Sequence, residues 1–235
     1  ANNTGGDVSA TLNITVNDAI SQGITISPVE NTTVTNNTAM TSITFSSTGP
    51  GEIVTWELEG ELPDGLTWTP ANQTIWGTPT ELMTTTQYTI WANNTGGDVS
   101  ATLNITVNDE VPTTLSFSNP DILLTNNTLM TPLNPITTGP GVVVTWYIVG
   151  ALPLGITFNS STGILSGTPT ELMTTTQYTI GAINSGGSIF TVVNITVVDQ
   201  LPILTYPSIS LHLTVNTVNS DIPFEPSLTG PGEII

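Results

Sequence analysis

Gly77-Thr78-Pro79-Thr80-Glu81-Leu82-Met83-Thr84-Thr85-Thr86-Gln87-Tyr88-Thr89-Ile90 decides how this chain is read, because the same fourteen residues return unchanged from Gly167 to Ile180. The copies start 90 residues apart. A period of that size holds one small β-domain, so the chain is a tandem array. Outward from the repeat, Asn93 to Asp109 carries the same words as Asn2 to Asp18, and Gly230-Pro231-Gly232-Glu233-Ile234-Ile235 matches Gly49-Pro50-Gly51-Glu52-Ile53-Val54. The expected division is a C-terminal part of a truncated repeat over 1–18, whole repeats over 19–109 and 110–199, and an N-terminal part of another truncated repeat over 200–235. The sequence reads as a window on a longer repetitive protein.

Within the first whole repeat, period-two alternation marks half-buried strands. In Ile53-Val54-Thr55-Trp56-Glu57-Leu58-Glu59, residues Val54, Trp56 and Leu58 are expected to face one way and Thr55, Glu57 and Glu59 the other. Tyr88, Ile90 and Ala92 share a buried phase, as do Leu103, Ile105 and Val107. Gly49-Pro50-Gly51 and Asn93 to Asp98 are turns. About seven short strands per repeat predict an all-β fold, a tandem series of antiparallel β-sandwiches of about 90 residues each. A unit of that length buries about 60–65% of its chain surface, enough for its own core. Trp56 and Trp146 stand where a sandwich core tryptophan is expected. Tyr88 and Tyr178 stand where a late strand begins with a corner tyrosine.

Composition closes off several function classes. The 235 residues include no Lys, no Arg and no Cys, with 18 acids against one histidine and a net charge of −18. Ion pairs with Lys or Arg, disulfides and lysine-based isopeptide cross-links are therefore impossible. Neutralising phosphate needs Lys or Arg, so no nucleic-acid partner is expected. No polybasic patch and no apolar run near the ~20 residues of a span points to direct membrane insertion in this segment.

Leu62-Pro63-Asp64-Gly65-Leu66-Thr67 with Ile75-Trp76-Gly77-Thr78-Pro79-Thr80, and Leu152-Pro153-Leu154-Gly155-Ile156-Thr157 with Thr162-Gly163-Ile164-Leu165-Ser166-Gly167-Thr168-Pro169, carry a family pattern. That pattern resembles the immunoglobulin-like domain of bacterial and archaeal surface proteins, which is related to cadherin-like domains. The first repeat departs from it where Asn72-Gln73 replaces Thr-Gly and Trp76 replaces Ser. The resemblance implies a repeating stalk of a large cell-surface or adhesive protein, outside the cell, with no catalytic residues.

The side chains agree with a non-catalytic reading. The lone histidine, His212, would have to serve a whole array. Glu57, Glu59, Glu61 and Asp64 cluster as paired acids do in glycoside hydrolysis, but Tyr147, Val149, Ala151 and Leu154 replace them in the next repeat, so a solvated acidic face is expected. No metal site is assigned. Calcium at the junctions Asn17-Asp18, Asn108-Asp109-Glu110 and Asp199-Gln200 is the one cofactor worth weighing, against too few oxygens for its six or more ligands.

The strongest chemical signal is glycosylation. Asn-x-Ser/Thr sequons begin at Asn2, Asn13, Asn31, Asn36, Asn72, Asn93, Asn104, Asn126, Asn159 and Asn194. Asn13, Asn104 and Asn194 occupy one position in successive repeats, each expected on the outward face of a strand. Asn36 and Asn126 are likewise equivalent. Trp76, Trp91, Tyr147 and Val149 fall on polar phases, which leaves two uses open: packing against a neighbouring domain or chain, and stacking on a sugar. Edge strands without Lys can accept another strand. The sequence thus predicts a glycosylated extracellular filament, stalk or sheath whose partners are copies of itself and its covalent glycans. The alternative is an adhesin that grips carbohydrate or a neighbouring cell.

Overall fold

The structure, a computed structural model, describes residues 2–205 and 227–229. In chain order its strands are β1 (Asn2–Asn3), β2 (Gly6–Asp7), β3 (Gly23–Ser27), β4 (Asn31–Thr35), β5 (Ile43–Thr48), β6 (Thr55–Glu59), β7 (Leu66–Thr69), β8 (Thr74–Gly77), β9 (Met83–Asn94), β10 (Gly97–Asn108), β11 (Thr114–Phe117), β12 (Asp121–Thr125), β13 (Pro135–Thr138), β14 (Thr145–Val149), β15 (Ile156–Phe158), β16 (Leu165–Gly167), β17 (Met173–Asn184), β18 (Gly187–Val198), β19 (Ile203–Thr205) and β20 (Ser227–Thr229). The single helical element among the described residues is a 3-10 turn at Pro70–Asn72. The chain divides into two compact units, Ala1–Asp109 and Glu110–Ile235.

In the first unit, sheet β3-β5-β8-β7 faces sheet β4-β10-β9-β6. The long hairpin β9–β10 sets the register, with Tyr88 opposite Leu103 and Ile90 opposite Ala101. Alternation along it buries Tyr88, Ile90, Ala92, Leu103, Ile105 and Val107, as the sequence predicts. All but Ala92 join one core cluster with Ile26, Ile43, Phe45, Leu66 and Ile75 of the facing sheet. Phe45 meets Trp68 edge to face at 5.5 Å, a favoured aromatic geometry. Trp146 is buried in the second unit, whereas Trp56 is only half-buried against its core.

Three local expectations are corrected. The sandwich is not antiparallel throughout: β4 runs parallel to β10, from Asn31 opposite Asn104 to Thr35 opposite Asn108, and β12 pairs with β18 in the same way. β4 escapes the alternation test because Asn31-Thr32-Thr33-Val34-Thr35 offers one apolar residue to the core. Val54 does not share the phase of Trp56 and Leu58; it precedes β6, lies beyond the core and is exposed. Residues 8–22 form no strand, although residues 8–18 repeat the words of β10. Leu12, Ile14 and Val16 are 79%, 75% and 88% exposed there. Alternation makes a strand only where neighbours supply a ladder and a core, so Asn13 is not on a strand face.

In the second unit the facing sheet splits into the ladders β11-β13 and β15-β16, joined by a bridge between Leu133 and Leu165. Pro135 explains the split. Its counterpart Phe45 donates its N–H to the carbonyl of Gln73 at 2.9 Å, and proline has no N–H to give.

Two closures recur in both units. The Tyr88 hydroxyl donates to the Glu61 carbonyl at 3.1 Å, and the Tyr178 hydroxyl to the Ala151 carbonyl at 2.9 Å. Gly60 and Gly150, at φ of 112° and 113°, let the chain pass beneath those rings; a Cβ would lie 2.8 and 2.9 Å from them. Asn94 and Asn184 form the second closure. Each side-chain oxygen accepts N–H bonds from the two glycines of its own turn, Gly96 and Gly97 or Gly186 and Gly187. Each amide nitrogen donates to the carbonyl where its own module begins, Ala19 at 2.9 Å and Glu110 at 2.6 Å.

Candidate functional site

The outward face of the long sheet carries half of the candidate residues, and register decides which of them meet. In the first unit Glu57 lies opposite Trp91, and Trp91 opposite Ser100. The Trp91 indole N–H donates to a Glu59 carboxylate oxygen at 3.3 Å, and the Asn93 amide donates to Glu57 at 3.1 Å. This face is acidic, with one tryptophan hydrogen-bonded to the Glu59 carboxylate.

The same face of the second unit is apolar. Tyr147 lies opposite Gly181, and Gly181 opposite Phe190; Val149 lies opposite Thr179, and Thr179 opposite Val192. The Tyr147 ring covers Gly181, where any Cβ would collide with it. Phe190, 65% exposed, stands beyond, with Ile183 and Val192 also in solvent. Tyr147 and Val149 were legible as outward; Phe190, Ile183 and Val192 complete their patch and were missed. A signal existed, since Val193, Ile195 and Val197 fix the inward phase of β18 and leave Phe190 and Val192 outward.

Trp76 is separate. It lies on β8 of the other sheet, exposed, with its indole N–H on the Thr69 hydroxyl at 2.9 Å. Trp76 and Trp91 therefore sit on different sheets of one sandwich and do not form a common site.

The sequons fall into three settings. Asn104 and Asn194 are half-buried on the outward sheet face, their amides donating to Asn31 and Asp121 at 2.7 Å. Asn31 is thus in contact with another sequon asparagine. Asn36 and Asn126 begin tight turns in which Asn37 and Asn127 take left-handed φ of 58° and 57°, a conformation asparagine tolerates. Their side-chain oxygens are buried without a hydrogen bond. Asn72 and Asn159 are exposed at turns, Asn159 closing its own by accepting from the N–H groups of Ser161 and Thr162. Asn93 is half-buried beside Glu57, Asn13 is exposed in the irregular segment, and the side chain of Asn2 lies outside the described residues.

Among the described residues no group of three His, Cys, Asp or Glu could hold a metal ion. At the first junction Asp18 is occupied with the hairpin turn, its carboxylate accepting from the Thr95 hydroxyl at 2.9 Å. The Glu81 carboxylate accepts the N–H of Asp64 at 3.1 Å, and Glu171 that of Leu154 at 2.9 Å. His212 lies outside the described residues.

Two facing sheets, a corner tyrosine and a parallel edge strand, built twice along the sequence, define a tandem immunoglobulin-like sandwich protein. The family model described as "Putative Ig domain" matches residues 20–108 and 111–198, and the chain belongs to that family. A serine-rich adhesin for platelets from Staphylococcus aureus strain N315 is 30% identical over 184 residues, 77% of this chain but 7% of the adhesin. The counterpart from strain MRSA252 is 29% identical over 184 residues, again 77% of this chain and 12% of the relative. The chain thus spans a small fraction of the relatives it matches. Similar solved structures include Drosophila OTK extracellular domains 3–5, with a TM-score of 0.47 and 18% identity over 77% of this chain and 63% of that one. Another is Sidekick-1 immunoglobulin domains 1–4, with a TM-score of 0.45 and 17% identity over 74% of this chain and 48% of that one.

Proposed function

We propose that this chain is a structural, non-catalytic segment of an extracellular surface protein. Its immunoglobulin-like modules provide reach and coating in a filament, stalk or sheath that associates with copies of itself and carries sugar on its sequons. One observation carries this reading. The bonds that close each module, from Tyr88 and Tyr178 and from Asn94 and Asn184, repeat in both units, while the outward sheet face changes from Glu57, Glu59 and Trp91 to Tyr147, Val149 and Phe190. The module is kept and its decorated face is free to vary. That pattern suits a spacer, whereas a repeated active site would keep its face. Electron microscopy and glycopeptide mass spectrometry of the protein from its own cells test the proposal. The expected result is ordered assemblies with sugar at Asn104 or Asn194. Monodisperse single rods with bare asparagines would contradict it.

A second reading, an adhesin, draws support from the staphylococcal relatives and from the half-buried indole of Trp91, whose N–H donates to Glu59 on the outward face. Aromatic faces of this kind stack on sugars. Saturable glycan binding that disappears in Trp91→Ala and survives in Trp76→Ala would favour it.

A further inference from the structure

The free side of β12 presents an unprotected edge. Among the described residues β12 is hydrogen-bonded to another strand on one side only, parallel to β18. The ladder is anchored by the Asn194 N–H on the Pro120 carbonyl at 2.7 Å and the Asn126 N–H on the Val198 carbonyl at 2.8 Å. In a parallel ladder the N–H and C=O of one residue face the same neighbour, and alternate residues face the other side. Residues 120, 122, 124 and 126 therefore serve β18, while Asp121, Leu123 and Thr125 turn their main chain to the open side. Asn119 already takes the Asp121 N–H at 3.1 Å, and the Thr125 carbonyl accepts from Thr128 at 3.1 Å. Leu123 stands between them at the centre of the edge.

The side chains match that backbone. Leu123 is 68% exposed, and nearby Leu129 is 76% exposed. A recess of about 290 Å³ runs along the edge, lined in part by Leu123, Leu129, Met130 and Leu133. A second, of about 270 Å³, opens between Leu123, Thr175, Asn194 and Thr196. Soluble sandwiches protect such edges with Lys, Pro, a bulge or an inward charge. The chain has no Lys, residues 121–125 include no Pro, and the register to β18 is unbroken. The counterpart β4 differs: Thr33 replaces Leu123, Ala39 replaces Leu129, and the sequon residue Asn31 replaces Asp121.

We propose that β12 pairs with β12 of a second copy of this chain, antiparallel across a two-fold axis at Leu123. This specifies the contact behind the self-association proposed above and rests on that reading. Charge selects the occupant. A chain with 18 acids and no Lys or Arg offers its copies no positive surface, so copies meet only where no carboxylate is buried unpaired. In the two-fold register Leu123 faces Leu123 and Asp121 faces Thr125, so no acid opposes an acid across the strands. The centre is self-complementary, each Leu123 N–H donating to the Leu123 carbonyl of the second copy. Two four-stranded sheets become one of eight strands. A contact of one strand pair is weak alone and gains by repetition along an array.

Sedimentation equilibrium of the 235-residue chain tests this, with Leu123→Glu, which sets carboxylate against carboxylate, and Leu123→Pro, which removes the outward N–H and leaves the bonds to β18. Thr33→Glu on β4 is the control, and circular dichroism melts verify folding. The expected result is reversible dimerisation weakened at least tenfold by either Leu123 variant and unchanged by the control. Leu123→Cys adds a positive readout in a chain without cysteine. A hydrogen-bonded antiparallel pair holds its Cα atoms about 5.5 Å apart, within disulfide reach, so mild oxidation should give covalent dimers at least tenfold faster than with Thr33→Cys. Dimerisation indifferent to both Leu123 variants would overturn the edge contact and leave self-association standing. A chain monomeric at the highest attainable concentration would overturn both.

Discussion

Tyr178 gives its hydroxyl to the Ala151 carbonyl, and the same bond recurs from Tyr88 to Glu61. Tyr178→Phe should lower unfolding free energy by about 1–2 kcal/mol in urea melts, the cost of leaving the Ala151 carbonyl poorly satisfied. Burial raises both phenols above their ordinary value of 10.0, and the charges of Glu171 and Glu81 push the same way. Below about pH 10 both folded and unfolded chains keep these protons. Above it the unfolded chain binds fewer, so stability should fall as pH rises from there through the folded pKa values, and level off beyond them. Urea melts in steps from pH 9 to pH 12 check the sign, and Tyr178→Phe should flatten the slope. Gly163 makes a second case. At φ 73° a Cβ would lie 2.5 Å from the Trp146 ring, so Gly163→Ala should cost about 2–3 kcal/mol by overpacking and strain. The first repeat accepts Gln73 there at φ 48° because its chain takes a 3-10 turn instead.

At the scale of the element, the glycine-rich turn and the module entry hold one another. Gly141 lies where any Cβ would strike the Glu110 carbonyl, the same atom that Asn184 binds. Gly141→Ala and Asn184→Ala should each cost about 2 kcal/mol, and the double variant clearly less than the sum, since either change unseats the same carbonyl. Thermal or urea melts of the four proteins decide it. The hairpins that carry these turns were legible because Tyr88-Thr89-Ile90-Trp91-Ala92 and Leu103-Asn104-Ile105-Thr106-Val107 alternate cleanly. β4 was not, because a threonine-rich edge strand gives the core one residue. The segment 8–18 was misread for the opposite reason: a strand pattern without a neighbouring sheet has nothing to bury. The acidic and apolar faces were half legible. Tyr147 and Val149 stand out in sequence, but only cross-strand register places Phe190 beside Tyr147.

For the whole molecule, charge is uneven as well as one-sided. Residues 19–109 hold nine acids and residues 110–199 hold four, with no side-chain cation but histidine to offset them. Self-repulsion opposes the compact state and is screened by salt, whose Debye length shrinks from about 30 Å at 0.01 M to about 10 Å at 0.1 M. Added sodium chloride should therefore stabilise the chain, and the more acidic module by the larger amount. Hydrogen-exchange mass spectrometry read separately over β9–β10 and β17–β18 checks this, and equal protection gains in the two hairpins would contradict it. The parallel pairing of β4 with β10, and of β12 with β18, has a consequence for a chain held at both ends. Within each module an early strand and the last strand run side by side in the same direction over five paired residues. Tension applied along the chain slides one strand lengthwise past the other, so the rungs share the load and yield together instead of unzipping singly. Each module is built to stay shut under a pull that would peel open an antiparallel hairpin.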